Sequence, residues 1–291
     1  TTAVAHPCEA SALEAAVEAA QSGLIEPILV GPADKLADIA KRRKLDLTPY
    51  SIVDVPHSHA AAAKAVELVR SGHADILMKG SLHSDEFLGA IVARETGLRT
   101  ARRLSHVFLM DAPSYHKVFM ITDAAINIAP DLEAKADIVQ NAIDLALALG
   151  VKQPKVGILS AVETVTTKIP STLDAAALCK MAERGQIRGG LLDGPLAFDN
   201  AISKQAAKTK GIVSAVAGDV DILLAPDLEA GNMLAKQLSF LAHADSAGVV
   251  LGARVPVVLT SRADSVRARL ASVAVAVRMV YAQRALAGAG V

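Results

Sequence analysis

From end to end the chain alternates short, wholly apolar runs with alanine-rich helical stretches, and this constrains its fold more than any single motif. "PILVG" follows "EASALEAAVEAAQSG", where Gly23 is placed to end a helix. "LADIAKRRK", "YSIVDV", "AAAAKAVELVRSG", "ADILMKG" and "EFLGAIVARETG" continue the habit. "SHVFLM" and "KVFMIT" are separated only by "DAPSYH", so a hairpin interrupts the alternation there. After the long helix "LEAKADIVQNAIDLALALG", the second half runs through "KVGILS", "LDAAALCKMAERG", "GGLLDG", "VDILLAP", "LEAGNMLAKQLSFLAHA", "AGVVLG" and "PVVLT" to a final helix. Strands this uniformly apolar are buried on both faces, which requires a parallel or mixed sheet covered by helices. The fold class is α/β in two lobes, with ligands expected beyond the carboxyl ends of the strands.

Composition narrows the partners. Lys+Arg and Asp+Glu both number 30, so no global basic field exists to hold nucleic acid or an anionic membrane. Trp is absent and aromatic residues make up 3% of the chain, which leaves little for base stacking. Cys8 and Cys179 stand far apart without metal or redox spacing and read as reduced thiols of a cytoplasmic protein. No stretch reads as long enough for a membrane span. The apolar run "LASVAVAVRMVYAQRALAG" is interrupted by Arg278 and Arg284 and reads as a buried core or dimer helix.

The chain lacks G-x-G-x-x-G after a strand, a Walker phosphate loop, H-E-x-x-H, a Cys/His cluster and a G-x-S-x-G elbow. What it has is a set of polar residues at strand ends. Lys79, Ser81, His83 and Ser84 follow "ADILM", and Thr122, Asp123 and Asn127 follow "VFMI". Ser160 and Glu163 follow "VGIL", and Asp193 closes "GGLLD". Asp227 and Asn232 follow "DILLAP", and Ser261, Arg262 and Asp264 follow "PVVLT". Any one of these sets suits helix capping as well as catalysis, but six at one topological position would converge on a cleft. The string "APDLEA" occurs at 129–134 and again at 225–230, each time opening a helix; its bland reading is a strand-to-helix turn used twice, with Asp as the cap.

Several long strings resemble the phosphate acetyl/butyryl transferase family: "MKGSLHSDEFL", "GLRTARRLSHVFLMDAP", "GGLLDGPLAFDNAISKQAAKTKGI", "VDILLAPDLEAGNMLAKQL" and "VVLTSRADS". Their wording is similar to the butyryl-like branch, and a similar domain is also found fused to enoyl-CoA hydratase-like modules. The resemblance implies a two-domain α/β/α sandwich of the isocitrate/isopropylmalate dehydrogenase type with mixed, mostly parallel sheets. Residues 1–128 and about 262–291 would form a discontinuous first domain and about 129–261 the second, with the active site in the cleft between them. It also implies a homodimer and reversible transfer of an acetyl, butyryl or other short acyl group between coenzyme A and phosphate. Coenzyme A is then a substrate, and neither a cofactor nor a metal is required.

By the same resemblance Arg262 binds the phosphoryl oxygens, where a bidentate fork has the right shape. Ser261 bonds the thiol or the reacting carbonyl, and Asp264 is the nearest carboxylate to serve as base. The strand-end residues from Lys79 to Asn232 fall to substrate binding. Two features depart from the family pattern: Val266–Arg269 stands where acetyl-type relatives carry a catalytic aspartate, and Gly89 stands where relatives of both branches tend to carry an arginine. A non-catalytic acyl-CoA-binding regulatory domain and a metal-dependent dehydrogenase of the same broad fold are the competing readings. Replacing Arg262 by Ala is expected to lower phosphate-dependent cleavage of acyl-CoA by orders of magnitude with the fold intact. Near-normal turnover by that variant would remove Arg262 from the site.

Overall fold

The computed structural model describes residues 1–259 and 264–288. The chain runs β1 (Thr2–Ala5), α1 (Ala10–Gln21), β2 (Pro27–Gly31), α2 (Ala33–Arg43), β3 (Ser51–Asp54), α3 (Ser58–Arg70), β4 (Ile76–Lys79) and α4 (Ser84–Val92). It continues through β5 (Ser105–Asp111), β6 (Phe119–Thr122), α5 (Leu132–Ala148), β7 (Lys155–Leu159), α6 (Pro170–Glu183) and β8 (Leu191–Leu196). Then come α7 (Phe198–Ile202), α8 (Lys204–Thr209), β9 (Ile222–Leu224), α9 (Leu228–Leu241), β10 (Asp245–Leu251), β11 (Val257–Val258) and α10 (Val266–Gly288). Strand and helix alternate as the apolar pattern requires, so the fold is α/β.

Two compact units form, one from Thr1–Arg102 with the chain from Ala247 onward, the other from Arg103–Ser246. The crossings fall earlier than the 128/129 and 261/262 read from sequence. The reason on the second unit's side is pairing: β5 and β6 form the antiparallel hairpin, and β6 pairs in parallel with β9. Those ladder bonds hold the residues after 102 to the second unit.

In the first unit the strand order is β3-β2-β1-β4-β11-β10, parallel except for β10 against β11. Its strand β1 was not among the apolar runs picked out above, because "TAVA" is short and half alanine. It nevertheless lies between β2 and β4 and is buried along its whole length. Among the described residues, the strand expected from "PVVLT" is regular at Val257 and Val258, paired with Leu77 and Met78 of β4. In the second unit the order is β5-β6-β9-β7-β8, with only β5 antiparallel. Met110, Phe119, Ile121, Leu159, Val220 and Leu223 fill its core. Complete burial of each such side chain contributes about 1.5–3 kcal/mol.

The reading that no stretch reaches membrane-span length is corrected by α10, which is long and apolar enough by length and composition. Arg278 and Arg284 shorten the apolar run in sequence but do not break the helix. Its Val273, Ala276 and Met279 are buried, it packs on α1, β4 and β11, and the buried Arg269 donates to Ser11 O at 2.6 Å.

The twice-used "APDLEA" turn has one physical cause. Asp131 Oδ1 accepts from Ala134 N and Asp227 Oδ1 from Ala230 N, both at 2.8 Å, which caps α5 and α9 alike. Asp131→Ala and Asp227→Ala should each lower stability by about 1 kcal/mol in urea unfolding, with Asn nearly neutral at both positions. Unequal losses would show that one of the two aspartates does more than cap.

Candidate active site

In the first unit the carboxyl ends of β1 and β4 meet where Gly80 N donates to Ala5 O at 2.8 Å. A Cβ at Gly80 would lie 2.4 Å from Ala5 O and 2.5 Å from His6 O, so only glycine permits this approach. Ser81 follows: its N donates to His6 O at 2.9 Å and its Oγ to the same oxygen at 2.8 Å. The same Oγ accepts from Cys8 N at 3.1 Å and lies 3.3 Å from His6 Nδ1. Lys79 is buried, with Nζ donating to Gly80 O at 3.3 Å. His83 and Ser84 are exposed at the start of α4.

The structure therefore gathers Ser81 with two residues sequence reading passed over, His6 and Cys8. Burial and the neighbouring Lys35 lower the His6 pKa, and burial pushes the Cys8 thiol up to about 11. A neutral imidazole and a protonated thiol make this cluster a donor and acceptor surface, with Lys35 as the neighbouring cation. His57 caps α3 by accepting from Ala60 N at 3.1 Å. Gly89 is exposed on α4, and a Cβ there would meet nothing within 4 Å.

In the second unit the end of β6 is a closed polar knot. Asp123 Oδ1 accepts from Ala125 N at 2.8 Å and Ile126 N at 3.1 Å. Its Oδ2 accepts from Asn127 N at 3.2 Å and Asn127 Nδ2 at 2.6 Å. Asn127 Nδ2 also donates to Leu104 O at 2.8 Å, and Thr122 Oγ1 to His106 O at 2.9 Å. Both carboxylate oxygens of Asp123 are thus engaged in shaping the loop after β6. Asn232, in the second turn of α9, donates from Nδ2 to Ala124 O at 3.0 Å. The helix comes this close because position 231 is glycine: a Cβ there would lie 2.5 Å from Asp123 O.

Beside Asp123 lies His106, fully enclosed, its ring edge-on to Phe108 at 4.3 Å and its Nδ1 without a hydrogen-bond partner. Burial pulls its pKa down to about 4, and the opposing attraction of Asp123 does not restore it. No spacing rule singles it out, since a histidine inside an apolar strand carries no motif.

The ends of β7 and β8 hold the remaining candidates. Ser160 is buried, its Oγ 2.9 Å from Ser171 Oγ in the first turn of α6. Glu163 Oε1 accepts from Lys210 Nζ and Asn200 Nδ2, and Lys210 also pairs with Asp199 at 3.3 Å. Lys210 first and Asn200 second hold the Glu163 carboxyl below its ordinary value. Asn200 is fully buried and its Oδ1 has no partner. Asp193 sits within β8 rather than beyond it, its Oδ1 accepting from Gly194 N at 2.9 Å. Asp227 is the α9 cap.

Ser261 and Arg262 lie outside the described residues. Asp264 lies just before α10, whose cap is Ser265: Ser265 Oγ accepts from Ala268 N at 3.1 Å. Capping is therefore supplied by the neighbouring serine. Among the described residues no group of three His, Cys, Asp or Glu side chains is placed to hold a metal ion.

Buried parallel strands with polar side chains and helix N-termini beyond their carboxyl ends define an α/β protein of the kind that binds small ligands at that edge. A family model described as "Phosphate acetyl/butaryl transferase" matches residues 57–277. The chain is 67% identical to a phosphate acetyltransferase of Rhizobium meliloti, covering 97% of this chain and 89% of that one. It is 43% identical to a phosphate butyryltransferase of Clostridium acetobutylicum, over 94% and 91%. Among solved structures, a branched-chain phosphotransacylase from Enterococcus faecalis V583 superposes with a TM-score of 0.84 at 31% identity, covering 96% and 99%. A 4-hydroxythreonine-4-phosphate dehydrogenase from Klebsiella pneumoniae, at 12% identity and a TM-score of 0.57 over 96% and 98%, shares the fold alone. The chain belongs to the phosphate acetyl/butyryl transferase family.

His106 generates a pH prediction. Its folded pKa of about 4 lies below histidine's ordinary value of about 6.5, so the unfolded chain binds more protons between them. Its contribution to stability is complete above about pH 6.5 and is lost as pH falls toward 4. Urea unfolding from pH 7.5 to 4.5 should therefore show a steeper loss for the native chain than for His106→Gln. Parallel curves would show that His106 does not change its protonation on folding.

Proposed function

We propose that this chain transfers an acetyl group reversibly between coenzyme A and inorganic phosphate: acetyl-CoA + phosphate = acetyl phosphate + CoA. The observation that carries the reading is the 67% identity to a named phosphate acetyltransferase along nearly the whole chain. Identity to the named butyryltransferase is 43%, which favours acetyl over butyryl despite the butyryl-like wording of several motifs.

In the acetyl-phosphate-consuming direction the thiol of coenzyme A loses its proton, its free pKa being about 8.5. The thiolate attacks the carbonyl carbon, an oxyanion develops, and the C–O bond to phosphate breaks as phosphate leaves. Arg262 serves the phosphoryl oxygens, Ser261 the thiol or carbonyl oxygen, and Asp264 takes the proton. Lys79, Ser81, His83, Ser84, Ser160 and Glu163 belong to substrate binding in this reading. Thr122, Asp123, Asp193, Asp227 and Asn232 contribute by holding the strand-end loops in shape. The chain acts in the cytoplasm as a homodimer, on small-molecule substrates alone.

Thiol release from acetyl-CoA should depend on phosphate and survive a chelator. One methylene in an apolar pocket is worth about 1–3 kcal/mol. The two extra methylenes of butyryl-CoA should therefore lower kcat/KM by at least roughly tenfold. Comparable kcat/KM for the two thioesters would refute the acetyl assignment. Tight CoA binding without turnover would refute the enzyme reading.

A further inference from the structure

The second unit carries a cavity of about 520 Å³ at the edge opposite its strand-end candidates. Tyr115 and His116 of the β5–β6 turn, Phe119 at the start of β6 and Gly218 before β9 place it at the amino ends of those strands. Phe198 and Ile202 of α7 and Leu238 of α9 close its apolar side. The volume falls within the roughly 300–1,000 Å³ range of small-molecule sites.

Its walls are held firmly. Tyr115 Oη donates to Val220 O at 3.0 Å, and its ring meets Phe119 edge-on with centroids 5.2 Å apart. His116 Nε2 lies 2.9 Å from Asp219 Oδ1, and the same aspartate pairs with Lys155 at 2.6 Å and Lys117 at 3.1 Å. Asp221 takes Lys117 again at 2.7 Å. Lys117 and Lys155 are therefore each already paired with a carboxylate. Lys204 differs: it is exposed at the rim, and among the described residues no carboxylate is paired with it. Gly218 allows it to sit there, since a Cβ on that glycine would lie 2.4 Å from Lys204 N.

We propose that this cavity binds a small monocarboxylate with an aromatic or branched apolar body, its ring or chain among Tyr115, Phe119, Phe198 and Leu238 and its carboxylate on Lys204. The site is distinct from the strand-end candidates yet touches their supports. Phe119 begins the strand that ends in Thr122, and α7 also carries Asn200, which bonds Glu163. Occupancy there is accordingly suited to modulating the unit from behind its chemistry.

The chain contains no Trp, so Leu238→Trp places a single indole in the cavity wall. Its fluorescence should change saturably with 3-phenylpropionate. The uncharged 3-phenylpropanamide should bind at least threefold more weakly, as should 3-phenylpropionate when Lys204→Gln is added; a threefold loss is the scale of an exposed ion pair. Equilibrium dialysis of 3-phenylpropionate against the unsubstituted chain guards against a reporter variant that fails to fold. Coenzyme A and phosphate should not displace the probe. Absence of saturable binding in dialysis, indifference to Lys204→Gln, or displacement by coenzyme A would each overturn the proposal. So would a signal that follows protein concentration alone, which would mean that a second copy covers the cavity. None of these readouts depends on acyl transfer, so their failure is separable from failure of the transferase reading.

Discussion

Burial of parallel strands on both faces is the constraint on which the rest of this structure depends. A strand such as β4 or β9, enclosed along its whole length, has no exposed face for a polar group, so chemistry is confined to its ends. Helices that start beyond those ends bring free N–H groups to the same edge. The carboxyl edge thus becomes polar by geometry before any residue is chosen for catalysis.

That geometry also explains why strand-end polar residues divide into two populations. Asp123, Asp131 and Asp227 all follow the carboxyl ends of strands or open helices, and all give carboxylate oxygens to backbone N–H groups. They satisfy donors that would otherwise be left open, which is scaffolding. Glu163 instead takes side chains, Lys210 and Asn200. Groups held by side chains can exchange partners with a ligand at lower cost than groups that hold the main chain.

The two edges of the second unit are electrostatically unlike. At the amino edge, Asp219 is pushed up by burial, yet Lys155, His116 and Lys117 together hold it well below the carboxylate range. Asp219 therefore stays ionised at neutral pH, and its ion pairs fasten the entry to β6, β7 and β9. At the carboxyl edge the enclosed His106 is kept neutral, because burial outweighs Asp123. Ion pairs fasten the amino edge, and burial keeps a histidine uncharged at the carboxyl edge.

The fold class and the hairpin were legible from apolar runs alone, because period and length are local properties of a chain. So were the two "APDLEA" turns, whose capping chemistry lies within four residues, and the family, whose long strings are read residue by residue. Strand β1 was not legible: "TAVA" becomes a central strand only because β2 and β4 flank it. Nor were His6, His106 and Lys210, whose partners Ser81, Asp123 and Glu163 stand 75, 17 and 47 residues away. The sequence by itself determined which residues alternate, cap and resemble a transferase. Only the tertiary structure decided which of its carboxylates hold backbone and which face side chains, because that depends on neighbours brought together by strand pairing.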